Sequence, residues 1–104
     1  MRCLSFGRRK VVLLTCLVWA LELAADGVRV NAIAPGAIRT NIWNVTDLSP
    51  EAAKKHEEGV ASGIPFKRFG APEEVANIAA FLVSEQASYV SGTVYAVDGG
   101  MGAQ

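Results

Sequence analysis

The chain has 104 residues with ten basic and ten acidic side chains, so its formal net charge at pH 7 is zero. This length allows at most one small domain, and the charge balance excludes a strongly basic surface for nucleic acid or anionic membranes. Apolar residues make up 51% of the chain and charged residues 19%, which is typical of a globular α/β protein rather than a disordered one.

The two cysteines, Cys3 and Cys16, are too few for a disulfide framework, and no Cys/His spacing indicates a metal site. Cys16 lies in an apolar run, where a small buried thiol is expected. Reduced cysteines of this kind favour a cytoplasmic protein.

Residues 1–10 carry no recognisable pattern, and the apolar run from Val11 to Ala25 is open to two interpretations. Basic residues before the run and small residues at its end are typical of a secretory signal peptide. The run also leads into Asp26-Gly27, a helix-stop signal, which favours a helix of the fold. The apolar stretch before Glu22 is too short for a membrane span.

The next segment, Val28 to Ala34, alternates branched apolar residues with others and predicts a β-strand that ends at Pro35-Gly36. Pro35 cannot donate a ladder hydrogen bond, and Gly36 can turn without steric cost. In open parallel sheets, ligands bind beyond the carboxyl ends of the strands. We therefore expect residues 36–40 to face a ligand.

Two helices are predicted after this loop. Ser49 followed by Pro50 is a helix start, and residues 52–60 form a polar helix with little apolar area to bury. The second helix begins at Pro72, and its apolar residues recur at helical spacing: Val75, Ile78, Ala79 and Leu82.

The apolar segment Gly92 to Asp98 predicts a second strand, buried on both faces. Two strands joined by a long helical crossover indicate a parallel pair. The expected fold class is therefore α/β, with the order helix, strand, polar helix, helix, strand.

Two segments carry a family resemblance: VRVNAIAPGAIRT, residues 28–40, and PFKRFGAPEEVANIAAFLVSEQASYVSGTVYAVDGG, residues 65–100. In this order and spacing they resemble the C-terminal portion of the short-chain dehydrogenase/reductase family, from about Ala20 to Gly100. The resemblance implies a doubly wound, Rossmann-like parallel sheet, of which residues 11–104 form part.

The resemblance also implies a function. It predicts an oxidoreductase that uses NAD or NADP on a small-molecule carbonyl/alcohol pair, and a chain that forms homo-oligomers. The implied cofactor-binding residues are Pro35, Gly36, Ile38 and Thr40, with the backbone of Ile38 on the nicotinamide carboxamide and the hydroxyl of Thr40 beside it. The segment from Asn41 to Gly63, which includes the polar helix, would be a lid over the substrate, with Ile42 and Trp43 as its apolar contacts.

The family's catalytic Tyr-x-x-x-Lys pair has no counterpart in this sequence. Alignment on the first helix places either Ser5 and Arg9 or Phe6 and Lys10 at those positions, and neither pair can do the proton chemistry. No glycine-rich loop opens a helix to hold a pyrophosphate. We therefore predict no catalytic residue and a C-terminal segment that is inactive as an isolated chain. The alternatives are a non-enzymatic module that docks on a full-length relative, and an exported protein.

Overall fold

The structure is a computed structural model that describes residues 2–41 and 48–104, with side chains described from Val11 onward in these ranges. The longer elements are α1 (Arg2–Leu23), β1 (Ala32–Pro35), α2 (Pro50–Ser62), α3 (Pro72–Val83) and β2 (Val94–Val97). Short 3-10 turns occupy Ala24–Asp26, Glu85–Ala87 and Met101–Ala103. The predicted order of helix, strand, helix, helix, strand is confirmed.

The strands β1 and β2 pair in a two-stranded sheet. The Ala32 N–H donates to the Thr93 carbonyl at 2.9 Å, and the Gly36 N–H donates to the Val97 carbonyl at 3.0 Å. From the first bond to the second, the donor moves four residues along β1 and the acceptor moves four residues in the same direction along β2. The strands are therefore parallel, as predicted. The N–H groups that donate to β2 belong to alternate residues of β1, and Pro35 is not one of them. Its nitrogen faces away from β2, so the missing N–H costs the sheet no hydrogen bond.

The first strand begins four residues later than the predicted Val28. Before Ala32, side chains supply most of the bonds to residues 90–93, beside one backbone bond from the Gly92 N–H to the Val30 carbonyl at 2.7 Å. The amide group of Asn31 donates to the Val90 carbonyl at 2.9 Å and accepts from the Thr93 N–H at 3.2 Å. The Val30 N–H similarly donates to the Ser91 hydroxyl at 3.1 Å. Residues 28–31 are thus held by side-chain hydrogen bonds, which the alternation of apolar and other residues in this segment does not predict.

The second strand is also shorter than predicted, and the expectation that it is buried on both faces is wrong. Its residues are only half-buried, and Ala96 is exposed. Positive φ angles at Gly92 (76°) and Gly99 (62°) bound the strand on either side. With one neighbouring strand in the described residues, an apolar sequence alone does not produce a covered strand.

The described residues divide into two compact units, one of residues 2–34 and 78–95 and one of residues 35–41, 48–77 and 96–104. In the first unit, α1 contributes the buried Cys16 and Ala20, which lie one turn apart on the same face. The Cys16 thiol donates to the Val30 carbonyl at 3.6 Å. The predicted buried thiol is therefore confirmed.

The first helix extends further toward the N-terminus than predicted and ends, as predicted, before Asp26-Gly27. Gly27 has a φ of 72°, and its N–H donates to the Ala24 carbonyl. Outside its buried face the helix exposes many large apolar side chains, among them Val11, Leu14, Trp19 and Leu21. None of the helices in the described ranges is long and apolar enough to cross a membrane.

The two later helices begin where the sequence predicts. Ser49 caps α2 by accepting a hydrogen bond from the Ala52 N–H at 3.3 Å, and α2 buries none of its residues. In α3, Leu82 is buried, and the other members of the predicted stripe are half-buried. The stripe and the exposed polar helix are therefore both confirmed.

Candidate functional site

A cavity of about 280 Å³ lies within the second unit, beyond the carboxyl ends of both strands. Three segments line it: the loop after β1, the loop that precedes α3, and the turn that follows β2. The lining residues include Ile38, Phe66, Arg68, Gly70, Asp98 and Gly100. Its position matches the general location of ligand crevices in parallel α/β sheets.

The loop after β1 starts with a close backbone approach at Gly36. A Cβ on Gly36 would lie 2.6 Å from the Cβ of Asp98 and 2.8 Å from its Cα. Because real Cβ atoms do not come this close to a backbone, only glycine fits here. The first residue of the loop therefore sets the spacing between the ends of the two strands.

The loop is then held by a parallel bridge between Ile38 and Gly70. The Gly70 N–H donates to the Ala37 carbonyl and the Arg39 N–H donates to the Gly70 carbonyl, both at 2.9 Å. In a parallel bridge of this form, the N–H and carbonyl of the central residue point to the opposite side. The backbone of Ile38 is thus directed away from Gly70.

The turn after β2 is organised by the carboxylate of Asp98. One oxygen accepts from the Gly100 N–H at 3.0 Å, and the other accepts from the Gly102 N–H at 2.8 Å. The Gly99 carbonyl accepts from the Phe66 N–H at 3.2 Å. This turn therefore fixes one wall of the cavity to the loop that begins at Pro65.

An ion pair between Arg68 and Glu74 lies at the edge of the cavity. The guanidinium donates to both carboxylate oxygens, at 2.7 and 3.0 Å, and the Ala71 N–H also donates to Glu74 at 2.9 Å. Hydrogen bonding from Arg68, and then from Ala71, lowers the pKa of Glu74 to about 2. Glu74 also caps the start of α3, so the pair joins the loop before the helix to the helix itself.

A second ion pair links the loop after β1 to α2. The Arg39 guanidinium donates to the Glu57 carboxylate at 2.5 Å and lies 5.8 Å from the centre of the Phe69 ring, which is buried. Both charged side chains remain well exposed, 65% for Arg39 and 40% for Glu57. The pair is therefore accessible to salt.

The structure places the four sequence-predicted cofactor residues along one segment. Pro35 ends β1 and is exposed, Gly36 makes the close approach to Asp98, and Ile38 lies in the bridge to Gly70. Thr40 is exposed two residues further on. Ile42 and Trp43, the predicted lid contacts, lie outside the described residues.

Sequence reasoning missed the contribution of the last residues to this region. The sequence assigns no role to Gly99 and Gly100, yet these two residues line the cavity together with Asp98, the last residue of the predicted second strand. The signal was the pair of glycines directly after a strand, which allows the positive φ angles found at Gly99 and Gly100. Within the described residues, no group of His, Cys, Asp and Glu is arranged to hold a metal ion.

Comparison with known proteins agrees with this geometry. Residues 9–102 match the sequence model of the family described as enoyl-(acyl carrier protein) reductase. The chain is 49% identical over 83 residues to a 3-oxoacyl-[acyl-carrier-protein] reductase of Thermotoga maritima; the match covers 80% of this chain and 31% of that protein. The chain thus spans about a third of the length of this curated relative.

Solved structures show the same fold. L-sorbose reductase from Gluconobacter frateurii, crystallised with NADPH and L-sorbose, superposes with a TM-score of 0.79 at 39% identity, over 88% of this chain and 37% of the reductase. A C-terminal deletion mutant of Thermoplasma acidophilum aldohexose dehydrogenase superposes with a TM-score of 0.83 at 30% identity, over 95% of this chain and 45% of the mutant. The parallel strand pair and its helices are thus part of a Rossmann fold, and the chain belongs to the short-chain dehydrogenase/reductase family.

Proposed function

We propose that this chain supplies the nicotinamide-facing part of an NAD(P)-dependent oxidoreductase. The observation that supports the proposal best is the bridge at Ile38, which directs the backbone N–H and carbonyl of that residue away from Gly70. A nicotinamide carboxamide offers one acceptor and one donor, which a backbone N–H and carbonyl complement. In this proposal Ile38 holds the carboxamide and the Thr40 hydroxyl makes a second contact with the cofactor.

Pro35 and Gly36 have a supporting role in the proposed site. Gly36 permits β1 and the turn at Asp98 to approach closely, which places the start of the loop beside the end of β2. Pro35 restricts the backbone just before that approach. Together they fix the direction in which Ile38 and Thr40 leave the sheet.

The reaction we propose is hydride transfer between the cofactor and a small carbonyl or alcohol substrate. The bound nicotinamide supplies the hydride chemistry, while the protein positions its ring. The related L-sorbose reductase was crystallised with NADPH, which supports a nicotinamide cofactor but leaves NAD and NADP as equal candidates for this chain. We further propose that α2, with Ile42 and Trp43, covers the substrate.

We also propose that these 104 residues do not catalyse the reaction alone. The sequence contains neither a Tyr-x-x-x-Lys pair nor a glycine-rich loop at a helix N-terminus. Without the loop, the pyrophosphate of the cofactor has no helix dipole to bind. We therefore expect the nicotinamide contacts to act only together with the remaining parts of a family domain.

Fluorescence titration of NADPH and NADH with the purified chain tests this proposal. We expect no saturable change at micromolar protein concentrations, because one amide pair and one hydroxyl provide too few contacts for tight binding. Saturable binding with a micromolar dissociation constant would show that the chain holds the cofactor unaided. Full-length L-sorbose reductase serves as the positive control for the assay.

A further inference from the structure

The chain contains two Asp-Gly pairs, Asp26-Gly27 and Asp98-Gly99. In such a pair the backbone nitrogen of the glycine can attack the side-chain carboxyl carbon of the aspartate, because glycine has no Cβ to crowd the approach. The two pairs lie in very different surroundings. The fold therefore determines which of them reacts.

The carboxylate of Asp98 is held through both of its oxygens. One accepts from the Gly100 N–H at 3.0 Å, and the other accepts from the Gly102 N–H at 2.8 Å. The side chain is also closely packed, since a Cβ on Gly36 would lie only 2.6 Å from the Cβ of Asp98. Attack by the Gly99 nitrogen would require the carboxylate to turn while both hydrogen bonds break.

Asp26 has none of these restraints. It is the exposed last residue of the 3-10 turn that follows α1, and among the described residues its carboxylate has no hydrogen-bond or ion-pair partner. Nothing lies within 4 Å of the position where a Cβ of Gly27 would stand. The Gly27 N–H donates to the Ala24 carbonyl at 3.0 Å, and this single bond at the end of an exposed turn opens at low cost.

We propose that Asp26 is a site of spontaneous isomerisation to isoaspartate, and that the fold protects Asp98 from the same reaction. The Gly27 nitrogen forms a bond to the side-chain carboxyl carbon of Asp26. A side-chain oxygen leaves as water, with the proton of the attacking N–H and the proton of the carboxylic acid, and a succinimide ring remains.

Water then opens the ring. When it breaks the bond between the Gly27 nitrogen and the main-chain carbonyl carbon of Asp26, the product is isoaspartate, in which the main chain runs through the former side chain. One water leaves and one enters, so the reaction needs no oxidant, reductant or other reactant, and the mass of the chain is unchanged.

The rearrangement adds one carbon to the backbone where α1 passes into the segment before β1. This extra carbon displaces the Gly27 N–H from the Ala24 carbonyl and the Val28 N–H from the Leu23 carbonyl, which it meets at 3.2 Å. Both bonds satisfy carbonyl groups at the C-terminal end of the helix. Isomerisation therefore releases this end of α1, and it involves no residue that the proposed function assigns to the cofactor.

The test compares the two pairs within one molecule. The purified chain is incubated at neutral pH in water enriched in heavy oxygen, and mass spectrometry measures the label in the peptide that carries each pair. Each passage through the succinimide introduces one labelled oxygen. We expect Asp26 to gain label about tenfold faster than Asp98 or more, because two further hydrogen bonds must open at Asp98. In the chain unfolded by urea, the two rates should become similar.

Two variants check the assignment to Asp26. Gly27→Ala should slow labelling at Asp26 and leave labelling at Asp98 unchanged, since a methyl group then crowds the attacking nitrogen. Because alanine is strained at the φ of 72° found for Gly27, Asp26→Glu serves as a second variant that leaves the glycine in place. It should take up no label at residue 26.

Equal labelling of both pairs in the folded chain would overturn the protection of Asp98. A folded chain that gains no label at Asp26, while the unfolded chain does, would overturn the proposed site. A protease that cleaves before aspartate but not before isoaspartate gives an independent measurement, and its cleavage at residue 26 should decline as the label appears.

Discussion

At the scale of single residues, two positions hold the candidate site together for different reasons. Gly36 is required because no side chain fits between it and Asp98. Glu74 is required because it accepts hydrogen bonds from both the Arg68 guanidinium and the Ala71 N–H. Gly36 is constrained by steric contact and Glu74 by its charge. The first is therefore tested by adding a methyl group and the second by changing the pH.

The close contact between Gly36 and Asp98 predicts that Gly36→Ala destabilises the fold by about 1–3 kcal/mol, the usual cost of overpacking. The matched control is Gly59→Ala, because a Cβ on Gly59 meets nothing within 4 Å and Gly59 lies inside α2. That change should stabilise the chain by about 0.5–1 kcal/mol. Urea unfolding measures both values, and equal effects of the two substitutions would contradict the close approach at Gly36.

The charge of Glu74 predicts a defined pH dependence of the free energy of unfolding. The pKa of Glu74 is lowered from 4.5 to about 2 in the folded chain, first by Arg68. Its contribution to stability is therefore fully present above pH 4.5 and is lost as the pH falls toward 2. Glu74→Gln should flatten the decline in the urea midpoint between pH 5 and 2, whereas Glu73→Gln should leave that decline unchanged. An unaltered decline in Glu74→Gln would contradict this role.

At the scale of elements, the first helix exposes most of the large apolar side chains that it carries from Val11 onward. Cys16 and Ala20 are buried, but Leu21 is 80% exposed, and most of the remaining large apolar residues of α1 are also exposed. A contiguous apolar surface of this kind usually meets another polypeptide. We propose that the homo-oligomer expected from the family resemblance forms through α1.

Association through α1 predicts that Leu21→Glu shifts the chain toward monomer in sedimentation velocity, because a carboxylate would be buried in an apolar contact. Val83→Glu is the control, since Val83 is 83% exposed but lies in α3. That variant should sediment like the unaltered chain. If Val83→Glu dissociates the oligomer and Leu21→Glu does not, the contact surface is not on α1.

At the scale of the whole molecule, local signals were sufficient to predict the order of elements. The Ser49-Pro50 start of α2, the Pro72 start of α3 and the Asp26-Gly27 stop of α1 are all confirmed. Each depends on residues adjacent in sequence, where capping and backbone preferences decide the structure. The parallel pairing followed from the long crossover between the two strands.

Features that join distant residues could not be predicted in this way. Asn31 bonds to residues about sixty positions away and delays the start of β1, and Arg39 pairs with Glu57 eighteen positions along the chain. Nothing in the local pattern selects these partners among the other polar side chains. The cavity wall at Asp98 was missed for the same reason, because its partner Gly36 is remote in sequence.

The central claim is that residues 35–40 hold the nicotinamide when the rest of a family domain is present. The most direct measurement is the dissociation constant for NADPH of a chimera in which residues 20–102 replace the matching part of L-sorbose reductase. We expect the chimera to bind NADPH, Thr40→Val to weaken binding about two- to tenfold, and Thr40→Ser, which keeps the hydroxyl, to restore it. A folded chimera that binds NADPH equally well with Val, Ser or Thr at position 40 would contradict the claim.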